Sequence, residues 1–583
     1  MIDWFRTERN RAALLERVES DAPWFLLLAA IAIWCALFGV HVTWRHEWFG
    51  TFDHDLGIWD QAIWKLAHGK SFVTVRGLDV FGFHLSPALY LYAPFYWLGA
   101  GPEFLNLTMI FALGLGAIPV YRIAEHYLKN EWYSLVVALA FLVNYGAQWM
   151  LHETFHPEVV AITPLLFAYE ASLHGRWKIM AIWLAFALMW KEDVALVGAM
   201  LGLLLMFRGW AGSRSPVARQ RPAAAWFVAA GAVLVAVIAK GIFPHSSNSI
   251  LLGAIVAAVL IIRGTRVKDG PAGQLHATVV GLYVFIGCVL WFVVATRLVI
   301  PGFNDGGNFT DELLGDLGSS PREIVTTAIV DPMRVAEHLD RSEPHRYLTE
   351  LSAAYGLVPL SAPFLFVLAL PQLLINLLGQ YNFFWSTRLH YAALPIYATT
   401  LAAIEGVASW RRLAMRRFLV GLIAVGSFYT GVVWGLTPAS PKYEQGFWSL
   451  DPSPQQADFE NAVGLPRRGD AVSAMYLLVP HLTHRDEIYT FPNPWLANNW
   501  AIHGENRPPP DTVDWLILNP STLDTVDFGV LLRVLEDPEV MLERDDLPVG
   551  VRAHDVTDSV NRAKWRIVVD KLDLLVLQRR RRS

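Results

Sequence analysis

From Trp24 to Thr43 the chain runs without a single Asp, Glu, Lys or Arg. About 20 such residues are enough to cross the hydrocarbon core of a bilayer as a helix. A backbone in lipid has no water to bond, so a chain that repeats such runs must satisfy its polar groups internally as α-helices. The runs do repeat, at Phe104–Tyr121, Tyr133–Met150, Val159–Ser172, Ile179–Trp190, Val194–Phe207, Ala223–Phe243, Ile250–Ile262, Ala277–Ile300, Leu389–Ile404 and Phe418–Leu436. With 54% hydrophobic and 17% charged residues over 583 positions, a water-soluble enzyme is excluded. The fold class is an α-helical polytopic membrane protein with roughly eleven to thirteen membrane-embedded helices.

Basic residues fix an expected orientation. Arg6, Arg9, Arg11 and Arg17 precede the first run, which puts the N-terminus in the cytoplasm, and no small-residue cleavage site follows, so this run is expected to stay as an anchor. Arg122 with Lys129, Arg176 with Lys178, the group from Arg208 to Arg221, and Arg263, Arg266 and Lys268 fall on every second connection. The intervening connections hold acids and histidines and are therefore expected outside. Parity at Arg411, Arg412, Arg416 and Arg417 is kept if Ala353–Leu377 is a hairpin broken around Pro359, Pro363 and Pro371. Leu85–Trp97, short and holding Pro87 and Pro94, reads as an interfacial or re-entrant piece rather than a full span.

Past Leu436 the composition turns ordinary, with Pro-rich connectors such as NRPPPDTVDW. Residues 1–436 are read as the transmembrane domain, its first outer loop at about 45–103, and residues 437–583 as a soluble domain outside the cell membrane. Runs at Ala471–Tyr476, Glu487–Phe491, Asp514–Leu518 and Leu572–Leu577 read as strands, and Phe528–Leu535 as a helix, giving a small α/β fold. A net charge of −5 leaves no basic surface for nucleic acid. Cys35 and Cys288, both within apolar runs, support no disulfide framework. Nucleotide-binding glycine motifs and HExxH are absent, which argues against nucleotide-driven pumping.

The chemistry concentrates in the outer connections. FDHDLGIWDQAIWKLAHG places Asp53, Asp55 and Asp60 at the head of a helical pattern running through Leu56, Trp59, Ile63 and Leu66. An interfacial amphipathic helix would carry these acids on its solvent side, while the simpler reading makes Asp53 or Asp55 its N-cap. HETFHPE sets His152 and His156 four apart, a spacing that chelates a divalent ion if helical, although Pro157 interrupts the helix and solvated polar ends explain the same residues. Lys191, Glu192 and Asp193 lie between two apolar runs with almost no loop: either a functional group of charges or a tight turn in which Lys191 snorkels and pairs with an acid. Arg388 and His390 form a second outer cationic group, and Arg388 or Lys191 would hold a phosphate well.

FDHDLGIWDQAIWKLAHG, FGFHLSPALYLYAPFYWL, FHPEVVAITPLL, WKEDVAL and VPHLTHRDEIYTFPNPW, in this order, resemble the bacterial polytopic family known as domain of unknown function 2079. That family is similar in layout to the GT-C membrane glycosyltransferases, relatives of the protein O-mannosyltransferases and the lipid A aminoarabinose transferase. The resemblance implies a GT-C-like fold in a bacterial inner membrane, a polyprenyl-phosphate-linked sugar as donor, and an envelope glycan, lipid or protein as acceptor outside. It makes Asp55 the match for a first-loop catalytic acid, with Asp53 a second candidate that the pattern does not expect. It matches Glu153 and Glu158 to the acids of a second outer loop. Beside it, the reading of the residues themselves makes Lys191, Arg388, His84 and His390 the candidates for donor phosphate contacts, and Glu153, His156 and Glu158 the candidates to hold a divalent cation, magnesium or manganese. Asp60, Glu192 and Asp193 are additional candidates. A transporter or flippase of a lipid-linked precursor is the alternative, although no pseudo-symmetric halves are visible.

Overall fold

The computed structural model describes residues 8–212, 272–303, 314–318, 321–442, 454–498, 500, 508–543 and 556–580. Among these, six helical segments are long and apolar enough to cross a bilayer: Asp21–Glu47, Pro102–Leu128, Glu131–Glu153, Ala277–Gly302, His390–Ala408 and Leu413–Val433. Trp177–Leu188, Val194–Gly209 and Pro363–Leu378 are shorter apolar helices. The runs expected at 223–243 and 250–262 lie outside the described residues.

Local chemistry places the helix starts. Pro102 and Pro157 occupy first-turn positions, where a missing N–H costs nothing. Asn130 accepts from Tyr133 N, and Asn144 from Gly146 N and Ala147 N, so two helix beginnings are capped by side chains. The first helix packs on Pro102–Leu115 and Glu131–Leu142, and Pro157–Leu173 packs on Trp177–Leu188. Val194–Gly212 and Ala272–Val294 cross so closely at Gly202 and Gly281 that a Cβ on Gly202 would stand 2.6 Å from the Gly281 carbonyl oxygen. Small residues permit this dispersion-rich approach in lipid. The segment expected as a broken hairpin is interrupted, with 3₁₀ turns at Val358–Ser361 and Pro363–Ala369 before the helix Leu370–Leu378.

The loop after the first helix departs from the expected amphipathic arrangement. Its helix, Ile58–Ala67, is capped by neither Asp53 nor Asp55; Gly57 holds the cap position and offers no side chain. The acids are not on a solvent face, since Asp60 is wholly buried and Ile58 through Ile63 are buried around it. The reason is tertiary: this helix is roofed by the C-terminal domain. A hairpin of β1 (Phe72–Val73) and β2 (Leu78–Asp79) follows. Pro87–Tyr92 and Ala93–Trp97 then form short helical turns whose Tyr90, Leu91, Phe95 and Trp97 remain exposed. Aromatic side chains of this kind suit a membrane interface.

The C-terminal domain carries β3 (Val472–Ala474), β4 (Ile488–Thr490), β5 (Trp515–Leu518), β6 (Trp565–Lys571) and β7 (Leu574–Arg579) in the order β4-β3-β5-β7-β6. β3 runs parallel to β4 and β5, and β7 antiparallel to β5 and β6. Strand β6 is not among the strands expected from the sequence, although Ile567, Val568 and Val569 are a β-branched run; only Trp565 of it is fully buried. Helix Thr525–Glu536, capped by Asp524, packs its Phe528, Leu531 and Leu535 inward. One continuous apolar core joins the membrane helices, Leu56 and Ile63 of the loop, and Val479, Ile488 and Trp495 of this domain.

Candidate functional site

Asp55 sits in a turn that ordinary side chains avoid. His54 is extended, Asp55 has φ 66° and ψ −81°, and the chain then enters the loop helix. A non-glycine residue at such angles is in a strained γ-turn, which costs about 1–3 kcal/mol and survives only where surrounding contacts over-determine it. Here the contacts come from two sides. Asp53 N donates to Tyr476 O at 2.9 Å, and the Thr490 hydroxyl donates to Asp53 Oδ2 at 2.7 Å, both from the C-terminal domain. From the membrane bundle, His156 Nε2 lies 3.2 Å from Asp55 Oδ1.

His156 is presented by a break in the helix. The helix ending at Glu153 stops at Thr154, whose φ is 105°, and the next begins at Pro157. This break separates the two histidines of HETFHPE: His152 turns to His41, with 3.2 Å between ring nitrogens, while His156 turns to Asp55. The helical i, i+4 chelate is therefore not formed. His156 Nδ1 lies 3.0 Å from the Thr154 carbonyl, which accepts its hydrogen and leaves Nε2 directed at Asp55. Its ring stacks on His390 at 3.9 Å. His390 in turn bonds to Glu153 through Nδ1 at 2.8 Å and through its backbone N–H at 2.6 Å.

Asp55, Glu153, His156 and His390 thus converge, one donor atom of each lying within 4.8 Å of the others. Burial would raise the Asp55 carboxyl, but the His156 imidazole against it, helped by His390 and His54, holds it well below the ordinary carboxylate range. Burial would likewise lower His156; Asp55 and Glu153 instead push it up to about 10. Both shifts favour the imidazolium–carboxylate form of the pair. Two carboxylates and two imidazoles make a donor set of the kind manganese or zinc takes, and one poorer for magnesium, which prefers oxygen.

The other sequence candidates are distributed around this centre. Glu158 Oε1 accepts from Lys191 Nζ at 2.6 Å and lies 3.9 Å from His390 Nε2, so Glu158 adjoins the cluster through His390. Lys191 also lies 3.5 Å from Asp193, and these acids outweigh burial to hold its ammonium above the usual lysine range. Asp193 is pushed up to about 6, chiefly by burial. Glu192 accepts from Leu85 N at 3.0 Å and pairs with His84 at 2.8 Å. Arg388 is exposed, its guanidinium 5.0 Å from the Trp149 ring centre. Asp60 lies apart from the cluster, receiving bonds from Tyr96 and Thr483 and standing 3.2 Å from His484.

Two cations near the acids were not singled out in the sequence. Arg45, at the end of the first helix, donates to the His152 carbonyl and lies over Phe52 at 5.9 Å. Arg76, buried on the hairpin turn, has its guanidinium lowered by burial and raised again by Asp53 and Asp55. The signal for Arg76 is the VTVRGLD stretch, a β-branched run broken by Arg-Gly as hairpins are. Glu158 Oε2, Trp190 Nε1 and Asp193 Oδ1 are buried polar atoms without a hydrogen-bond partner. Such atoms are costly unless a bound group completes them.

The model of the family described as Predicted membrane protein (DUF2079) matches residues 45–254 and 246–527. Among solved structures, ArnT from Cupriavidus metallidurans bound to undecaprenyl phosphate is similar at 12% identity, covering 95% of this chain and 97% of that one, with a TM-score of 0.34. The same protein in the apo state is similar at 11% identity, covering 96% and 98%, with a TM-score of 0.36. No curated protein matches this chain.

Proposed function

The chain belongs to the DUF2079 family of predicted membrane proteins, and from that premise we propose that it is a membrane-embedded glycosyltransferase of the GT-C kind. Its donor is a sugar on a polyprenyl phosphate, and its acceptor an envelope hydroxyl on the extracytoplasmic face. The observation that carries this reading is the meeting of Asp55 with His156, Glu153 and His390 under a closed outer loop at the ends of membrane helices. A lipid-linked sugar has its reactive carbon at that depth, while its chain stays in the bilayer.

The reaction forms a bond from the acceptor oxygen to the anomeric carbon and breaks the bond from that carbon to the phosphate oxygen. The hydroxyl proton leaves to a carboxylate, and the lipid phosphate departs as an anion. Asp55, held ionised, is a weak base: it aligns the hydroxyl as a hydrogen-bond acceptor, takes its proton only as the new bond completes and passes it on to water, while its charge favours positive charge growing on the sugar. Arg76 and Arg45 are the cations closest in character to a phosphate cradle; Lys191 is occupied by Glu158 and Asp193. A divalent cation on Asp55, Glu153, His156 and His390 would neutralise the leaving phosphate, and its binding would displace the His156 proton.

Sidedness is supported by the basic connections. Arg122, Lys129 and Arg176, with His126, His174 and the acids Glu125 and Glu170, line one cavity of about 480 Å³ at the helix ends away from the cluster. This matches a cytoplasmic face opposite the site. The reading is tested by incubating purified protein in lipid with labelled polyprenyl-phosphate sugars and envelope acceptors. Covalent transfer is expected; passage of the lipid-linked sugar across proteoliposomes without transfer would instead establish the transporter.

A further inference from the structure

The acids of the first loop are held by one strand of the other domain. Among the described residues β4 is an edge strand, paired to β3 on one side only. An unpaired edge exposes N–H and C=O groups that need covering. Here the first outer loop covers it. Ile488 N donates to Thr74 Oγ1 at 3.0 Å, and Thr74 Oγ1 donates to Ile488 O at 2.7 Å. Gln61 of the loop helix completes the Thr74 oxygen at 2.8 Å and receives Val75 N at 3.1 Å. Two residues further along the same strand, Thr490 donates to Asp53 at 2.7 Å.

The hairpin turn is closed from the same domain. Trp500 Nε1 donates to Thr74 O at 2.8 Å, and its ring lies so close to Gly77, at φ 69°, that a Cβ there would stand 2.6 Å from it. The two elements carrying Asp55 and Arg76 are thus registered against consecutive same-side positions of β4. Asp55 itself stays in its strained turn with Asp53 fixed immediately before it and Gly57 set against Val479 and Pro480 just after.

We propose that β4 of the C-terminal domain is part of the catalytic apparatus, and that Thr490 is a positioning residue: through Asp53 it holds the Asp55 turn in the conformation that meets His156. This rests on the glycosyltransferase reading for its rate consequence but not for its structural one. Thr490 touches neither the cluster nor Asp55, so its effect runs through the turn alone.

The test compares the full-length protein in lipid with Thr490→Val, which keeps the β-branched shape the strand needs, and Thr490→Ser, which restores the hydroxyl. Two quantities are read: amide exchange over residues 53–58, and kcat against donor KM for sugar transfer. In Thr490→Val we expect exchange of this turn about tenfold faster and kcat about tenfold lower, the scale of one lost buried hydrogen bond. Donor KM should be unchanged, and Thr490→Ser should recover both quantities. Unchanged exchange overturns the inference whatever the rate does. In a protein that transfers sugar, an unchanged kcat overturns it too, as does a loss that Thr490→Ser fails to restore. If no variant or parent transfers sugar while exchange still rises in Thr490→Val, the positioning inference stands and the glycosyltransferase reading fails.

Discussion

A single carboxylate does not reveal its role by type. Asp53, Asp55 and Asp60 lie within eight positions of one another, yet one is bonded to Thr490, one faces His156, and one is buried among Tyr96, Thr483 and His484. We therefore predict that Asp55→Asn lowers transfer by about 10²-fold or more, the usual loss for a group that favours the transition state. The melting temperature should fall as well, because the neutral amide leaves the buried His156 ring without its carboxylate partner; full transfer by this variant would exclude Asp55 from the chemistry. A second prediction follows from the donor set. Dialysis against a chelator should abolish transfer and lower the melting temperature, with manganese or zinc restoring both and magnesium doing so poorly. In His156→Ala the chelator should no longer shift the melting temperature; a shift equal to that of the parent would place the ion elsewhere. Asp55 and the HETFHPE residues could be singled out as candidates from the sequence. Which of its histidines turns inward was not, because the answer depends on the helix break at Thr154.

At the scale of elements, the loop helix Ile58–Ala67 is the joint between the membrane bundle and the C-terminal domain. Its underside packs toward Ala93–Trp97, and its ends are gripped from above, Lys65 Nζ donating to the Asp486 carbonyl at 2.6 Å. Asp60 and His484 meet at 3.2 Å within this joint. Burial lowers the His484 ring, but Asp60 more than compensates, with Arg468 opposing and Glu103 adding, so the folded ring keeps its proton above the ordinary 6.5. Because the folded value is raised, its stabilisation is complete below about 6.5 and is lost as pH rises through the folded value. Thermal unfolding of the parent and of His484→Gln should therefore differ most below about pH 6.5 and converge as the pH rises through the folded value. A difference independent of pH would mean that His484 only packs. The amphipathic spacing of this helix was readable from its apolar residues. Its polar face reads as solvent-facing by periodicity alone, since periodicity cannot anticipate a second layer arriving from residues 476–500.

For the whole molecule, the orientation argument predicts that the C-terminal domain lies outside. Pro509 is exposed, and the native Cys35 and Cys288 are buried, so a Pro509→Cys protein offers one reactive thiol among the described residues. It should react with a membrane-impermeant maleimide in intact cells; labelling only after lysis would reverse the sidedness of the site as well. The sequence by itself determined that this chain is a bundle of membrane helices followed by a small α/β domain, because apolar length, alternating residues and turn chemistry are local properties that any tertiary arrangement must honour. Only the tertiary structure decided that Asp55, Glu153, His156 and His390 share one site, that Lys191 is taken up by Glu158 and Asp193, and that β4 covers the first loop. Convergence of this kind is carried by packing between segments remote in sequence, and no local pattern records where two buried surfaces will meet.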